Sequence, residues 1–136
     1  MKACICTVIK NEHQYLDEWI QYHINLGIDH IFIFEDYDSK THKNIVDKYR
    51  PSVTLNRIST VFCTKEEEYR VINIKREGKK NPQYEYLKSG LEYIKRTSDF
   101  DWCFAIDIDE FISPENINTN LNDIIALYDN YDAVVL

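Results

Sequence analysis

The chain has 136 residues, 44% of them hydrophobic and 29% charged, with three Gly, three Pro and a formal net charge of −7. These proportions exclude a disordered chain, a collagen-like repeat and a linker-rich array, and they predict one compact domain over residues 1–136. The charge is uneven: residues 97–136 contain nine acids and no Lys or Arg, which argues against nucleic-acid binding, where a basic face is needed, and favours a cation site.

In chain order, Ala3 to Ile9 is a short β-branched run of the kind found in buried strands. The run ends at Lys10-Asn11-Glu12. Leu16, Trp19, Ile20, His23 and Leu26 then recur at three- and four-residue spacing, which predicts an amphipathic helix stopped by Gly27. Trp19 and His23 lie on the apolar face and are expected in the core. Ile28 to Phe34 reads as a second strand, followed by Glu35-Asp36-Tyr37-Asp38-Ser39. A short helix is expected near Thr41–Tyr49, closed by Pro51, and one or two strands within Val53–Phe62. Residues 64–82 show the weakest pattern and contain a basic stretch, Arg70, Lys75, Arg76, Lys79 and Lys80. This stretch is read either as a solvated loop or as a partner for a diphosphate. Tyr84, Leu87, Leu91 and Ile94 restore helical spacing, Trp102 to Ile108 reads as a strand, Asn118–Tyr128 as a helix, and Ala133–Leu136 as strand material. The alternation predicts an α/β fold, a Rossmann-like, mostly parallel sheet flanked by helices. Because the chain stops inside strand material, a fragment of a longer domain is expected.

The four cysteines (4, 6, 63 and 103) form no C-x-x-C pair, and His13, His23, His30 and His42 form no H-x-x-x-H pair. The cysteines sit in apolar runs and are expected as buried free thiols in a reducing compartment. No stretch has the length of a transmembrane helix, and, with a strand-like run at the very start, no signal peptide is expected. Glycine-rich phosphate loops (G-x-x-x-x-G-K, G-x-G-x-x-G) and a G-x-S-x-G elbow are absent from the sequence.

Ligands of open parallel sheets bind beyond the carboxyl ends of the strands. Three polar clusters fall there: Thr7 with Lys10-Asn11-Glu12, then Glu35-Asp36-x-Asp38-Ser39, then Asp107-x-Asp109-Glu110. Residues two apart in a strand share a face, so Asp107 and Asp109 are expected to point together. Two adjacent carboxylates repel unless a cation lies between them, and hard oxygen donors suit Mg or Mn. The alternative is a pair of strand-end acids capping a turn. An acid after the second strand can accept from a ribose hydroxyl or a base N–H, or can simply build the turn.

Val8-Ile-Lys10-Asn11-Glu12, Tyr15-Leu16-x-Glu18-Trp19-Ile20-x-Tyr22-His23, Gly27-Ile28-Asp29-His30-Ile31-x-Ile33-Phe34 and Asp107-Ile-Asp109-Glu110-Phe111 together resemble the family-two-like glycosyltransferases that overlap family ninety-two. The resemblance covers nearly the whole chain. It implies the glycosyltransferase type A fold, with this chain as the donor-binding part of a longer catalytic domain. It implies a metal-dependent transfer of sugar from a nucleotide-diphosphate donor, UDP-linked, to a hydroxyl of a glycan or glycolipid acceptor, with inversion. Asp107 and Asp109 would hold Mn or Mg on the diphosphate. Thr7, Lys10, Asn11, Glu12 and Gln83 would border the nucleotide-sugar together with Asp107, and Glu35 or Asp36 would contact the nucleoside. No catalytic base is identified. The implied setting is surface-polysaccharide or lipopolysaccharide assembly in the cytoplasm, with peripheral membrane association. The competing classes are a non-catalytic nucleotide-sugar-binding module and a metal-dependent phosphohydrolase.

Overall fold

The computed structural model describes residues 2–59, 71–73, 82–114, 119–128 and 130. The elements run β1 (Ala3–Ile9), α1 (His13–Leu26), β2 (His30–Asp36), α2 (Lys43–Val46) with a 3-10 turn at Asp47–Tyr49, β3 (Val53–Ser59), β4 (Val71–Asn73), α3 (Pro82–Thr97), β5 (Trp102–Ala105) and α4 (Leu121–Leu127). The strands form one sheet in the order β4-β3-β2-β1-β5, and every neighbouring pair is parallel. This is the α/β sheet flanked by helices that the alternation predicts. β4 falls in the stretch of weakest sequence pattern. The basic residues Arg70, Lys75, Arg76, Lys79 and Lys80, together with Cys63 and the expected strand at 133–136, lie outside the described residues.

Both faces of the sheet are covered, which is why its strands read as continuous apolar runs. On one face Ile5, Ile9, Ile31, Ile33 and Leu55 pack against Leu16, Trp19 and Ile20 of α1, Val46 of α2 and Ile125 of α4. On the other, Cys4, Cys6, Phe32, Phe34 and Ile58 pack against Tyr86 and Ile94 of α3. A Cβ on Gly90 would lie 2.9 Å from the Phe34 ring and 3.3 Å from Cys6 Sγ, so glycine is what lets α3 approach the sheet this closely. Gly27 ends α1 as the spacing predicts. Its φ is 113°, and the Ile28 N–H reaches back to the His23 carbonyl at 3.1 Å.

Two expectations are corrected. β5 ends at Ala105, short of Ile108: Ile106 and Ile108 keep the inward facing of Trp102 and Phe104, but the chain turns where the Glu110 N–H bonds the Asp107 carbonyl. Cys4 and Cys6 are buried, but Cys103 is exposed. It lies on β5, at the end of the described sheet, while α3 packs chiefly over β1 and β2. The Cys4 thiol hydrogen-bonds to Cys103, which holds the Cys103 thiol below its usual pKa, and that contact together with burial pushes Cys4 up.

Successive connections step outward from β1 through β2 and β3 to β4, then return to place β5 on the other side of β1. The order therefore reverses between β1 and β5, and the crevice above the carboxyl ends of those strands is where such sheets bind ligands.

Candidate functional site

Two adjoining hollows, of about 260 and 360 Å³, open at that crevice and share Val8, Glu12 and Gln83. The first is also lined by Lys10 and Asp36, and the second by Tyr15, Asp107 and Asp109. All three polar clusters read from the sequence thus contribute to one cleft, from the turn after β1, the last residue of β2 and the turn after β5. A larger cavity of about 610 Å³ lies beside it, lined mainly by apolar groups such as Phe104, Ile106, Ile124 and Leu127. Glu110, Ser113 and Thr119 are its polar lining residues.

Asp107 and Asp109 come together through a turn rather than through a shared strand face. The Glu110 N–H donates to the Asp107 carbonyl at 3.0 Å, and the Asp107 N–H donates to Glu110 Oε1 at 2.8 Å. This reciprocal closure gathers the carboxylates of Asp107, Asp109 and Glu110 so that one oxygen of each lies within 4.8 Å of the others. All three residues are exposed. Partial burial, then the Glu110 and Asp109 charges, raise the Asp107 carboxyl above its ordinary value. A divalent cation would relieve that repulsion, and the donor set is the hard-oxygen type that Mg and Mn take.

α1 holds this turn in place. Trp19 Nε1–H donates to the Glu110 carbonyl and Tyr22 OH to the Ile112 carbonyl, both at 2.8 Å. The Ile112 N–H donates to His23 Nε2 at 3.2 Å, while His23 Nδ1 meets the Trp19 carbonyl at 2.9 Å. Phe111 packs on both Tyr22 and His23. The Glu-Trp-Ile-x-Tyr-His and Asp-x-Asp-Glu-Phe segments are thus one physical unit. His23 is a satisfied core residue, neutral in the fold, and burial lowers its pKa from 6.5. Below pH 6.5 the unfolded chain takes up a proton that folded His23 resists. Stability is therefore full above that pH and falls as the pH drops toward the lower folded value, by at most about 1.4 kcal/mol per pH unit for one group. Thermal melts between pH 7 and pH 5 should show this decline, and His23→Gln should flatten it. An unchanged slope in the variant would assign the proton uptake elsewhere.

The remaining predicted residues divide. Lys10, Glu12, Asp36 and Gln83 reach the cleft. Asn11 has a left-handed φ of 51°. Its N–H donates to Ser39 Oγ at 2.9 Å and its Oδ1 accepts from the Lys40 N–H at 3.1 Å, so its amide braces the turn. Thr7 is fully buried in β1 and lines neither hollow. Of the two acids that end β2, Asp36 faces the cleft. Glu35 is fully buried, accepting from the His42 N–H at 2.8 Å and facing Arg57 Nε at 3.1 Å. Sequence reading missed Arg57, His42 and Tyr15. Arg57 pairs in register with Glu35 across β2 and β3, a signal readable only once the register is known. Tyr15 stands off the apolar stripe of α1 as a large exposed aromatic, which is the hint it gave.

The Glycosyltransferase family 92 profile matches residues 1–136. A family 92 protein of Oryza sativa subsp. japonica is 26% identical over 125 residues, covering 92% of this chain and 18% of that protein. A family 92 protein of Ricinus communis is 30% identical over 46 residues, covering 34% of this chain and 8% of that protein. The chain thus spans less than a fifth of the length of either relative. With the match running from the first strand through the acidic turn and beyond, the chain belongs to glycosyltransferase family 92.

Proposed function

We propose that the cleft binds a nucleotide-diphosphate sugar, UDP-linked, and that the chain is the donor-binding part of a type A glycosyltransferase that transfers the sugar to a hydroxyl of a glycan or glycolipid. The observation that carries this reading is the convergence of Lys10, Asp36, Gln83, Asp107 and Asp109 on one cleft at the reversal of strand order. Asp36 is suited to accept from ribose hydroxyls or a base N–H. The Lys10 ammonium suits the diphosphate, and Gln83 offers an amide that can both donate and accept. Asp107 and Asp109, with Glu110 beside them, would hold Mn or Mg, which when bound stabilises the charge of the leaving diphosphate. Their mutual repulsion and hard-oxygen chemistry support that assignment. A single in-line displacement would invert the anomeric centre, with the acceptor hydroxyl giving its proton to a base that we do not assign to a residue of this chain. Surface-polysaccharide or lipopolysaccharide assembly, on the cytoplasmic side of a membrane, is the setting suggested by the sequence resemblance. Among the described residues no helix is long and apolar enough to cross a membrane.

The test is thermal denaturation with UDP and Mn, separately and together. A ligand at a hundredfold excess over its Kd stabilises by about 2.7 kcal/mol, a shift on the order of 10 °C in a domain of this size. The shift should require both components and should vanish in Asp109→Ala. No shift with any nucleoside diphosphate would sink the reading. Release of sugar from the donor would distinguish a transferase from a binding module, and release of inorganic phosphate would favour a phosphohydrolase.

A further inference from the structure

Glu35, His42 and Arg57 are buried beneath the cleft, and nothing in the proposed transfer uses them. Glu35 Oε2 accepts from both the backbone N–H and Nδ1 of His42, at 2.8 and 2.9 Å. On the opposite edge of the ring, His42 Nε2 lies 2.9 Å from the backbone N of Glu12. The Glu12 N–H can only donate, so Nε2 carries no proton there and Nδ1 carries the one shared with Glu35. The ring of His13, the first residue of α1, stacks on His42 at 3.9 Å, and His13 Nε2 meets the Thr41 carbonyl at 2.8 Å. Arg57 completes the base of the arrangement. Its guanidinium donates to the Tyr37 and Ser39 carbonyls at 2.8 Å and lies over the Tyr37 ring.

The geometry points to His42 as a positioning residue for the donor cleft. It is 1% exposed and lines neither hollow. It holds the Glu12 backbone, and so fixes the turn from which Lys10 and Glu12 face the first hollow. Three other fastenings, all at Asn11, tie the same turn to the Ser39 hydroxyl and the Lys40 N–H. The His42 bond is the one made to the residue that lines both hollows. Glu12 is the N-cap residue of α1, and its own N–H is met by a bare ring nitrogen from the neighbouring loop. Glu35 orients the imidazole by holding Nδ1–H, in the manner of a carboxylate that fixes the tautomer of a functional histidine. This inference rests on the donor-site reading for its effect on affinity, while the bond itself can be tested apart from it.

Two conservative variants separate positioning from packing. His42→Gln places a carbonyl oxygen near the site of Nε2 and can still accept from Glu12. His42→Asn places an amide near Nδ1 and can still donate to Glu35, but leaves the Glu12 N–H without its acceptor. By calorimetry with UDP and Mn, His42→Asn should bind about tenfold more weakly than wild type, and His42→Gln within about threefold. Thermal midpoints should fall by similar amounts in the two, because each loses one side of the ring's hydrogen bonding. Equal loss of affinity in both variants, or loss in neither, overturns the proposal. Exchange of the Glu12 amide with solvent, followed by NMR, provides the second readout. It should be slow in wild type and His42→Gln and fast in His42→Asn, and the nitrogen spectrum of wild type should show Nε2 unprotonated. Failure of wild type to bind any nucleoside diphosphate would remove the donor reading and the affinity effect together. Fast exchange at Glu12, or a proton on Nε2, would overturn the His42 link itself even where nucleotide binds.

Discussion

Trp19→Ala should cost about 4 kcal/mol of stability and lower the thermal midpoint by on the order of 15 °C. Trp19 is fully buried between α1 and the sheet, and its removal leaves the largest cavity that a single truncation of α1 can make. The same change removes the donor that grips the Glu110 carbonyl at 2.8 Å. Glu110 closes the Asp107 turn, so the loss should spread to the carboxylate cluster and weaken Mn-dependent stabilisation by UDP as well. Trp19→Phe separates the two effects. It keeps most of the apolar volume but has no N–H, and should cost about 1–2 kcal/mol while still loosening the turn. Denaturant melts with and without Mn and UDP measure both quantities. A Trp19→Ala protein within about 1 kcal/mol of wild type would mean that α1 does not anchor the site.

This coupling explains what could be read from the sequence and what could not. β1, α1, Gly27 and the start of the β2 cluster follow from local pattern: apolar runs, three- and four-residue spacing, and a glycine with φ of 113°. The core assignments of Trp19 and His23 follow from the same spacing. The acidic motif was recognised as a cluster, but the reason offered for it, two residues on one strand face, does not hold. The strand stops at Ala105, and the acids meet across the turn closed between Asp107 and Glu110 instead. Local alternation cannot show where a ladder ends, since that depends on partners about a hundred residues away in β1. The roles of the two acids that end β2 cannot be told from local pattern for the same reason. Glu35 and Asp36 are adjacent, and what separates them is strand parity, which puts Glu35 beside Arg57 in β3 and Asp36 at the mouth of the cleft.

That separation leads to the second large effect. Glu35→Ala should destabilise the fold by about 3–5 kcal/mol, the usual cost of breaking a buried ion pair by removing one partner. Arg57 is 9% exposed and would keep its charge with the carboxylate gone, and His42 would lose the acceptor for both its backbone N–H and Nδ1–H. Glu35→Gln keeps the shape and one acceptor oxygen but removes the negative charge facing Arg57 Nε at 3.1 Å, and should fall between wild type and Glu35→Ala. Asp36→Ala should behave in the opposite way. The residue is half-buried at the rim, and its Oδ1 accepts the Asp38 N–H at 2.9 Å. Its loss should change stability by about 1 kcal/mol or less while weakening UDP binding about tenfold or more. Urea melts and nucleotide titrations on the same three proteins decide the matter. A stable Glu35→Ala protein with reduced UDP affinity, beside an Asp36→Ala protein that binds normally, would reverse the assignment and make Glu35 the nucleoside contact. The expected pattern would instead show that one adjacent pair of acids divides its work by parity: the inward carboxylate sustains the charged base of the cleft, and the outward one is left free to meet a ligand.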